Sequence, residues 1–122
     1  MKTKQEYLLG CAIAGFTYYR GVTMLGDLKP GTTLKLKRDK NNKYDPQAVM
    51  IKCNGEKIGY IPKRDNAIIY KLLKVGYKGL TCIMQRVKPD AHTEEMVQVA
   101  VFLTGGPLAR KESAPITAHP GQ

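Results

Sequence analysis

Tryptophan is absent from this 122-residue chain, and cysteine is scarce, with only Cys11, Cys53 and Cys82. The three cysteines are far apart, and none of them has the C-x-x-C spacing of a zinc or redox motif. Structural zinc needs four close ligands, and only His92 and His119 could add to the cysteines. We therefore expect reduced, buried thiols, no metal site and no cofactor.

Long apolar runs are also missing, and none approaches the roughly 20 residues that a membrane-spanning helix needs. The longest candidate, residues 7–16, is interrupted by two glycines. Only Lys2 and Lys4 precede this run, so it lacks the flanks of a secretory signal. We interpret the run as a strand and expect a cytoplasmic protein that has no membrane partner.

Acidic side chains are few, because ten Asp and Glu residues face twenty Lys and Arg residues, giving a net charge of +10. The excess lies between Arg20 and Lys88, where sixteen basic and five acidic residues leave +11. Such a concentration of charge favours a polyanionic partner, with nucleic acid as the leading candidate. A lysine-rich surface that only keeps the protein soluble is the alternative explanation of the charge.

Composition divides the chain into three parts. Residues 1–6 are polar and are expected to form a flexible N-terminus, whereas residues 7–104 suit one domain with its own core. Residues 105–122 are rich in glycine and proline with little to bury, so we expect a disordered tail.

The apolar pattern within residues 7–104 predicts six short strands and one helix. Alternating apolar and polar residues are typical of half-buried strands, and Asn54 with Gly55 suits a tight hairpin turn. Asp65 or Asn66 is placed to cap a helix that runs through Lys74, with Gly76 as its left-handed C-terminal cap. The predicted strands are residues 7–17, 33–37, 48–51, 57–61, 80–87 and 96–103. This pattern predicts a mainly β (α+β) fold, an OB-like six-stranded β-barrel with one substantial helix.

Three segments combine aromatic and basic residues, namely residues 17–21, 36–49 and 58–64. Aromatic faces stack on nucleotide bases with about 1–3 kcal/mol per base, while lysines follow the phosphates. A structural role is the alternative, because an Asp before a Pro commonly starts a turn, and Tyr44 would then cover the barrel mouth.

The order of these motifs resembles the HIRAN domain: G-F-x-Y-Y, L-x-L-x-R-D-x-N-N-x-Y-D-x-x-A-V-x-I, G-x-x-I-G-Y-I-P, then a helix ending in L-L-x-x-G. The resemblance covers residues 9–76, and the last two strands match by pattern alone. HIRAN domains are modified OB barrels, attached to fork-remodelling ATPases in eukaryotes and found alone or beside nucleases in bacteria and phages. The resemblance implies a standalone module that recognises the 3′-hydroxyl end of single-stranded DNA, in DNA repair or replication.

The same resemblance implies roles for individual side chains. Tyr18 and Tyr44 would flank the terminal bases, while Asp45 would bind the 3′-hydroxyl and repel a 3′-phosphate. Asn42 falls on a pocket-lining position and Arg64 on a basic position near a phosphate. The implied and adjacent candidates for DNA binding are Tyr18, Arg20, Arg38, Asn42, Tyr44, Asp45, Tyr60 and Arg64.

The chain departs from the family pattern in and beside these motifs, and the aromatic residue that stacks from the late strands of the family has no secure equivalent here. Lys43 stands where a proline is usual, which loosens the loop, and Thr17 stands where the eukaryotic binder has an arginine. Tyr60 falls where a histidine can occur. These differences bear on affinity and on the strictness of end recognition.

Other functions remain open from the residues themselves. A general DNA or RNA binder could use the same basic surface without selecting ends, and an adaptor could dock a helicase, ATPase or nuclease partner. An enzyme is not expected, because Asp39, Asp45, Glu56 and Asp65 are scattered and no phosphate-binding loop or Ser/His/Asp set is present.

Overall fold

The computed structural model describes residues 4–16, 28–88 and 97–105. The alternating segments form strands and the helical pattern forms a helix, as predicted. A single turn of 3₁₀ helix, Lys63–Asp65, leads into the α-helix. The elements are β1 (Gln5–Ala12), β2 (Thr33–Arg38), β3 (Val49–Cys53), β4 (Glu56–Tyr60), α1 (Asn66–Lys74), β5 (Leu80–Val87) and β6 (Val97–Thr104).

The six strands form one antiparallel sheet in the order β1-β6-β5-β2-β3-β4. Among the described residues, its edge strands approach each other at an isolated bridge, where Ala14 and Tyr60 exchange hydrogen bonds of 2.8 and 2.9 Å. The mainly β, OB-like fold of six strands and one helix is therefore as predicted, although the sheet is not closed and forms a barrel only in a loose sense. Closure stops here because the chain turns at Gly15 (φ +72°) and Pro62 has no N–H to extend the ladder.

The predicted turn chemistry is confirmed at two places. Asn54 (φ 52°) and Gly55 (φ 83°) have the positive φ angles that join β3 and β4 in a tight hairpin. Gly76 (φ 88°) ends α1 in the left-handed region, with its N–H bonded to the Leu73 carbonyl at 3.0 Å. Asp65 occupies the N-cap position of α1, as predicted, but its side chain makes no capping hydrogen bond.

The core is formed by the buried residues of all six strands, to which α1 adds Ile69. Its cysteines are free and buried, as expected, and burial raises the pKa of the Cys11 and Cys82 thiols to about 12. These thiols are therefore neutral packing groups at physiological pH. Within the described ranges, no helix has the length and apolar character needed to cross a membrane. The largest fully buried side chains include Ile13, Phe16, Val49, Ile51, Ile58, Ile61, Ile69 and Met84.

Gly59 is required where β4 passes under the end of β1. A Cβ atom at this position would overlap the Ile13 side chain and lie 2.6 Å from the Ala14 carbonyl oxygen. Gly59→Ala should therefore lower the free energy of unfolding by about 1–3 kcal/mol, as overpacking in a core does. Urea denaturation tests this expectation. Gly105→Ala is the matched control, because open space surrounds that position, and equal stability of the two variants would contradict the account.

Candidate nucleic-acid interface

The loop between β2 and β3, residues 39–48, is organised by the Asn42 side chain. Its amide oxygen accepts hydrogen bonds from the backbone N–H of Tyr44 at 2.8 Å and of Asp45 at 3.0 Å. Asn side chains commonly fix turns in this way. Asn42 was predicted to line a pocket, and the structure shows that it sets the backbone on which Tyr44 and Asp45 are presented.

Tyr44 extends into solvent from this loop, with 82% of its surface exposed. The side chain therefore does not cover the interior of the sheet, which rules out the structural alternative for its ring. The Lys43 amine lies 5.9 Å from the ring centroid. Tyr44 thus presents an aromatic face beside a positive charge, the combination that suits a nucleotide base and its phosphate.

Asp45 is half-buried beside Tyr44, and its carboxylate is fixed by two hydrogen bonds. One oxygen accepts from the Gln47 backbone N–H at 3.0 Å. The other accepts from the Asn66 side-chain amide at 2.9 Å, and Asn66 is only 2% exposed. The pair joins the loop to the first residue of α1. Each carboxylate oxygen has a second lone pair, so Asp45 can still accept a hydrogen bond from a ligand.

A second polar cluster supports the start of the loop. The Tyr60 hydroxyl donates to the Asp39 carboxylate at 2.6 Å, and the Asn42 amide approaches the same oxygen at 3.4 Å. The Lys57 amine donates to the Tyr60 hydroxyl at 3.2 Å and lies 5.2 Å from its ring centroid. Tyr60 therefore connects β4 to the loop, and its hydroxyl has a structural partner.

Asp39 has a lowered pKa in the folded protein, chiefly because of the Tyr60 hydrogen bond. Its carboxylate therefore adds stability above its ordinary pKa of 3.8, and this stability is lost as the pH falls through the folded pKa. Tyr60→Phe should raise the pKa of Asp39 towards 3.8 and reduce the stability that the ionised carboxylate adds at higher pH. NMR titration of the carboxyl group measures the shift. Tyr7→Phe is the control, and an unchanged Asp39 pKa in Tyr60→Phe would contradict the assignment.

The predicted arginines are placed differently from one another. Arg38 lies over the Tyr70 ring of α1, 5.4 Å from the centroid, so its guanidinium packs on the helix. The Arg64 side chain is 78% exposed and lies 3.6 Å from Asp65. Arg64 also lines a cavity of about 560 Å³ with residues 12–15, Pro62 and Gln98.

The structure brings only part of the predicted set together. Asn42, Tyr44 and Asp45 share one loop, and the Asp45–Asn66 hydrogen bond holds that loop against the start of α1. Tyr18 and Arg20 lie outside the described residues. Within the described ranges, no group of three His, Cys, Asp or Glu side chains is placed to hold a metal ion.

Three supporting residues were missed by sequence reasoning. Asp39 belongs to the R-D-x-N-N motif, which was its only signal. Asn66 was considered solely as a helix cap, whereas its amide binds Asp45. Lys57 carried no local signal, because its contact with Tyr60 depends on how β4 pairs in the sheet.

Known proteins with the same fold support this architecture. A crystal structure of a protein from Lactobacillus plantarum has a TM-score of 0.72 and 20% identity, covering 86% of this chain and 100% of that one. The crystal structure of the HIRAN domain of human HLTF has a TM-score of 0.64 and 20% identity, covering 88% and 84% respectively. At this identity the likeness shows the fold alone.

Sequence comparison identifies the family directly. No curated protein matches the chain. The family model of the HIRAN domain matches residues 7–104, which include all six strands except the first two residues of β1, together with the helix. The chain therefore belongs to the HIRAN domain family.

Proposed function

We propose that this chain is a non-catalytic module that binds single-stranded DNA and recognises a free 3′-hydroxyl end. HIRAN domains are DNA-binding modules, and family membership supports nucleic-acid binding by this chain. The observation that carries the proposal is the pairing of an exposed aromatic ring, Tyr44, with a fixed carboxylate, Asp45, in one ordered loop.

Each member of this pair suits one part of a strand terminus. The Tyr44 ring is free to stack on a terminal base, because no core packing occupies it. The Asp45 carboxylate is held by Gln47 and Asn66 and keeps lone pairs for the terminal hydroxyl. A 3′-phosphate would place a second negative charge against Asp45, which disfavours that end.

The remaining predicted residues act around this pair in the proposal. Tyr18 supplies a second aromatic face, and Arg20 and Arg64 contact phosphates. Tyr60 contributes its ring edge while its hydroxyl stays bonded to Asp39. The Arg38 guanidinium packs over Tyr70, so in the proposal Arg38 adds positive potential and is assigned no direct contact with the DNA.

A module that only holds a DNA end performs no reaction alone. We propose that it delivers that end to a helicase, ATPase or nuclease partner in DNA repair or replication. Co-purification of such an enzyme with the wild-type chain, and its loss when DNA is digested, would show delivery through DNA. Retention after digestion would show an adaptor that docks the enzyme directly.

Blocking one end of an oligonucleotide at a time tests the end preference. A 3′ biotin capped with streptavidin should abolish the tight binding of a short single-stranded DNA, while the same block at the 5′ end should leave it intact. Fluorescence anisotropy gives both affinities. Equal loss from the two blocks, or no loss from either, would contradict end recognition.

General nucleic-acid binding is the second candidate, favoured by basic side chains that lie outside the loop, such as Lys35 and Lys37 on β2. This function predicts similar affinities for matched DNA and RNA oligonucleotides, whichever end is blocked. A competition between the two polymers separates it from end recognition.

A further inference from the structure

One face of β2, β3 and β4 carries four lysines, three of which are cross-strand neighbours. Lys35 of β2 pairs directly with Lys52 of β3, and Lys52 pairs with Lys57 of β4. Lys37 lies two residues along β2, on the same side as Lys35, because side chains alternate along a strand. We call these four residues the lysine face.

The lysine face lies opposite the core. Leu34, Val49 and Ile51 on the alternate positions of β2 and β3 are buried, whereas Lys35 and Lys37 are exposed. Strand alternation therefore directs the lysines away from the packed side of the sheet. Within residues 4–16, 28–88 and 97–105, no carboxylate forms an ion pair with Lys35, Lys37 or Lys52.

This arrangement has a cost in the free protein. Like charges placed directly opposite each other on neighbouring strands are destabilising, and Lys52 has a lysine on both sides. A nucleic acid bound across the lysine face would relieve this repulsion, and its phosphates would release their counterions. The charge pattern thus fits a phosphate backbone.

Two uncharged residues extend this face. Met50 of β3 pairs with Lys37 on one side and with Tyr60 on the other. The Tyr60 hydroxyl in turn bonds to Asp39, where the candidate loop begins. The lysine face is therefore continuous with the loop through Tyr60, and Met50 and Tyr60 offer apolar and aromatic surface among the charges.

We propose that the lysine face binds the phosphate backbone of the nucleotides that continue from the DNA end held at the loop. The proposal rests on the proposed function and extends its site along β2, β3 and β4. Single-stranded DNA fits better than an acidic protein segment, because bases can contact Met50 and Tyr60 while lysines contact phosphates.

The double variant Lys35→Gln and Lys52→Gln tests the proposal with oligonucleotides of four and sixteen nucleotides, each with a free 3′-hydroxyl. Lys57 is left unchanged because it bonds to Tyr60. The affinity for the sixteen-mer should fall by about tenfold in low salt. The slope of log affinity against log salt should decrease by about 1.4, or about 0.7 for each lost phosphate contact on a single strand. Affinity for the four-mer should stay within about twofold.

The control is Lys71→Gln with Lys88→Gln, which removes the same charge from exposed positions on α1 and after β5. This control should keep the wild-type slope. The thermal midpoint of Lys35→Gln/Lys52→Gln should equal or exceed that of the wild type, because a repulsion has been removed. A lowered midpoint would contradict the repulsion on which the proposal depends.

The outcomes separate this inference from the proposed function. A wild-type slope in Lys35→Gln/Lys52→Gln would overturn the lysine face even if blocking the 3′ end still abolishes tight binding of the short oligonucleotide. A reduced slope together with indifference to the blocked end would sustain the lysine face and refute end recognition. Tighter binding of a deca-aspartate peptide than of the sixteen-mer would also overturn the proposal, since an acidic segment would then be the preferred occupant.

Discussion

Replacing Tyr44 with alanine should lower the affinity for single-stranded DNA by about 5- to 150-fold and leave the free energy of unfolding unchanged. The first expectation follows from the about 1–3 kcal/mol that one stacked base contributes. The second follows from the 82% exposure of the side chain, since substitutions at exposed positions change stability by less than about 0.5 kcal/mol. Anisotropy titration and urea denaturation of the same preparation measure the two quantities.

Tyr7→Ala is the matched control for this experiment. Tyr7 is also an exposed tyrosine, at 60%, but it lies on edge strand β1 and its ring contacts Phe102 at a centroid distance of 5.8 Å. We expect Tyr7→Ala to keep wild-type affinity for DNA. Equal affinities of Tyr44→Ala and the wild type would show that Tyr44 does not stack on a base.

Changing Asp45 should have two effects that two substitutions can separate. Asp45→Ala removes the acceptor of the buried Asn66 amide and should reduce the free energy of unfolding by about 1–3 kcal/mol, the cost of an unsatisfied buried polar group. Asp45→Asn removes the negative charge but keeps one oxygen for the Gln47 N–H, and its NH2 group can donate to the Asn66 amide oxygen once that side chain turns over. This variant should retain most of the stability and lose the preference for a 3′-hydroxyl over a 3′-phosphate.

The comparison requires unfolding midpoints and affinities for both variants. Asn66→Ala is the control, because it removes the amide and leaves the Asp45 charge in place. We expect Asn66→Ala to keep some preference for the hydroxyl end at reduced affinity. If Asp45→Asn kept the full preference for the hydroxyl end, the Asp45 carboxylate of the wild type would have no part in recognising that end.

The fold was largely predictable because its signals are local. Alternation in β2, the Asn54–Gly55 turn and the left-handed Gly76 each depend on a few neighbouring residues, and the structure confirms them. The predicted word barrel describes the sheet only loosely, since closure depends on whether two distant edges meet. In the part of the chain that the structure describes, they meet at the Ala14–Tyr60 bridge, which no short stretch of sequence encodes.

The loop itself was predictable, but its supports were not. The turn residue Asn42 and the neighbouring Tyr44 and Asp45 are close in sequence, so their juxtaposition follows from the motif. Asn66 is 21 residues from Asp45, and Tyr60 is 21 residues from Asp39. Contacts of that range depend on the packing of α1 and β4, and a single sequence has no pattern that reports them.

The claim on which the account depends most is that the Asp45 carboxylate reads the terminal hydroxyl. Anisotropy with two oligonucleotides that differ only in a 3′-hydroxyl or a 3′-phosphate tests it directly. We predict about tenfold tighter binding of the hydroxyl end, or about 1.4 kcal/mol, which lies between the about 1 kcal/mol of bulk water and the about 4 kcal/mol near a protein surface for two unit charges 4 Å apart. Equal affinities for the two ends would contradict the account.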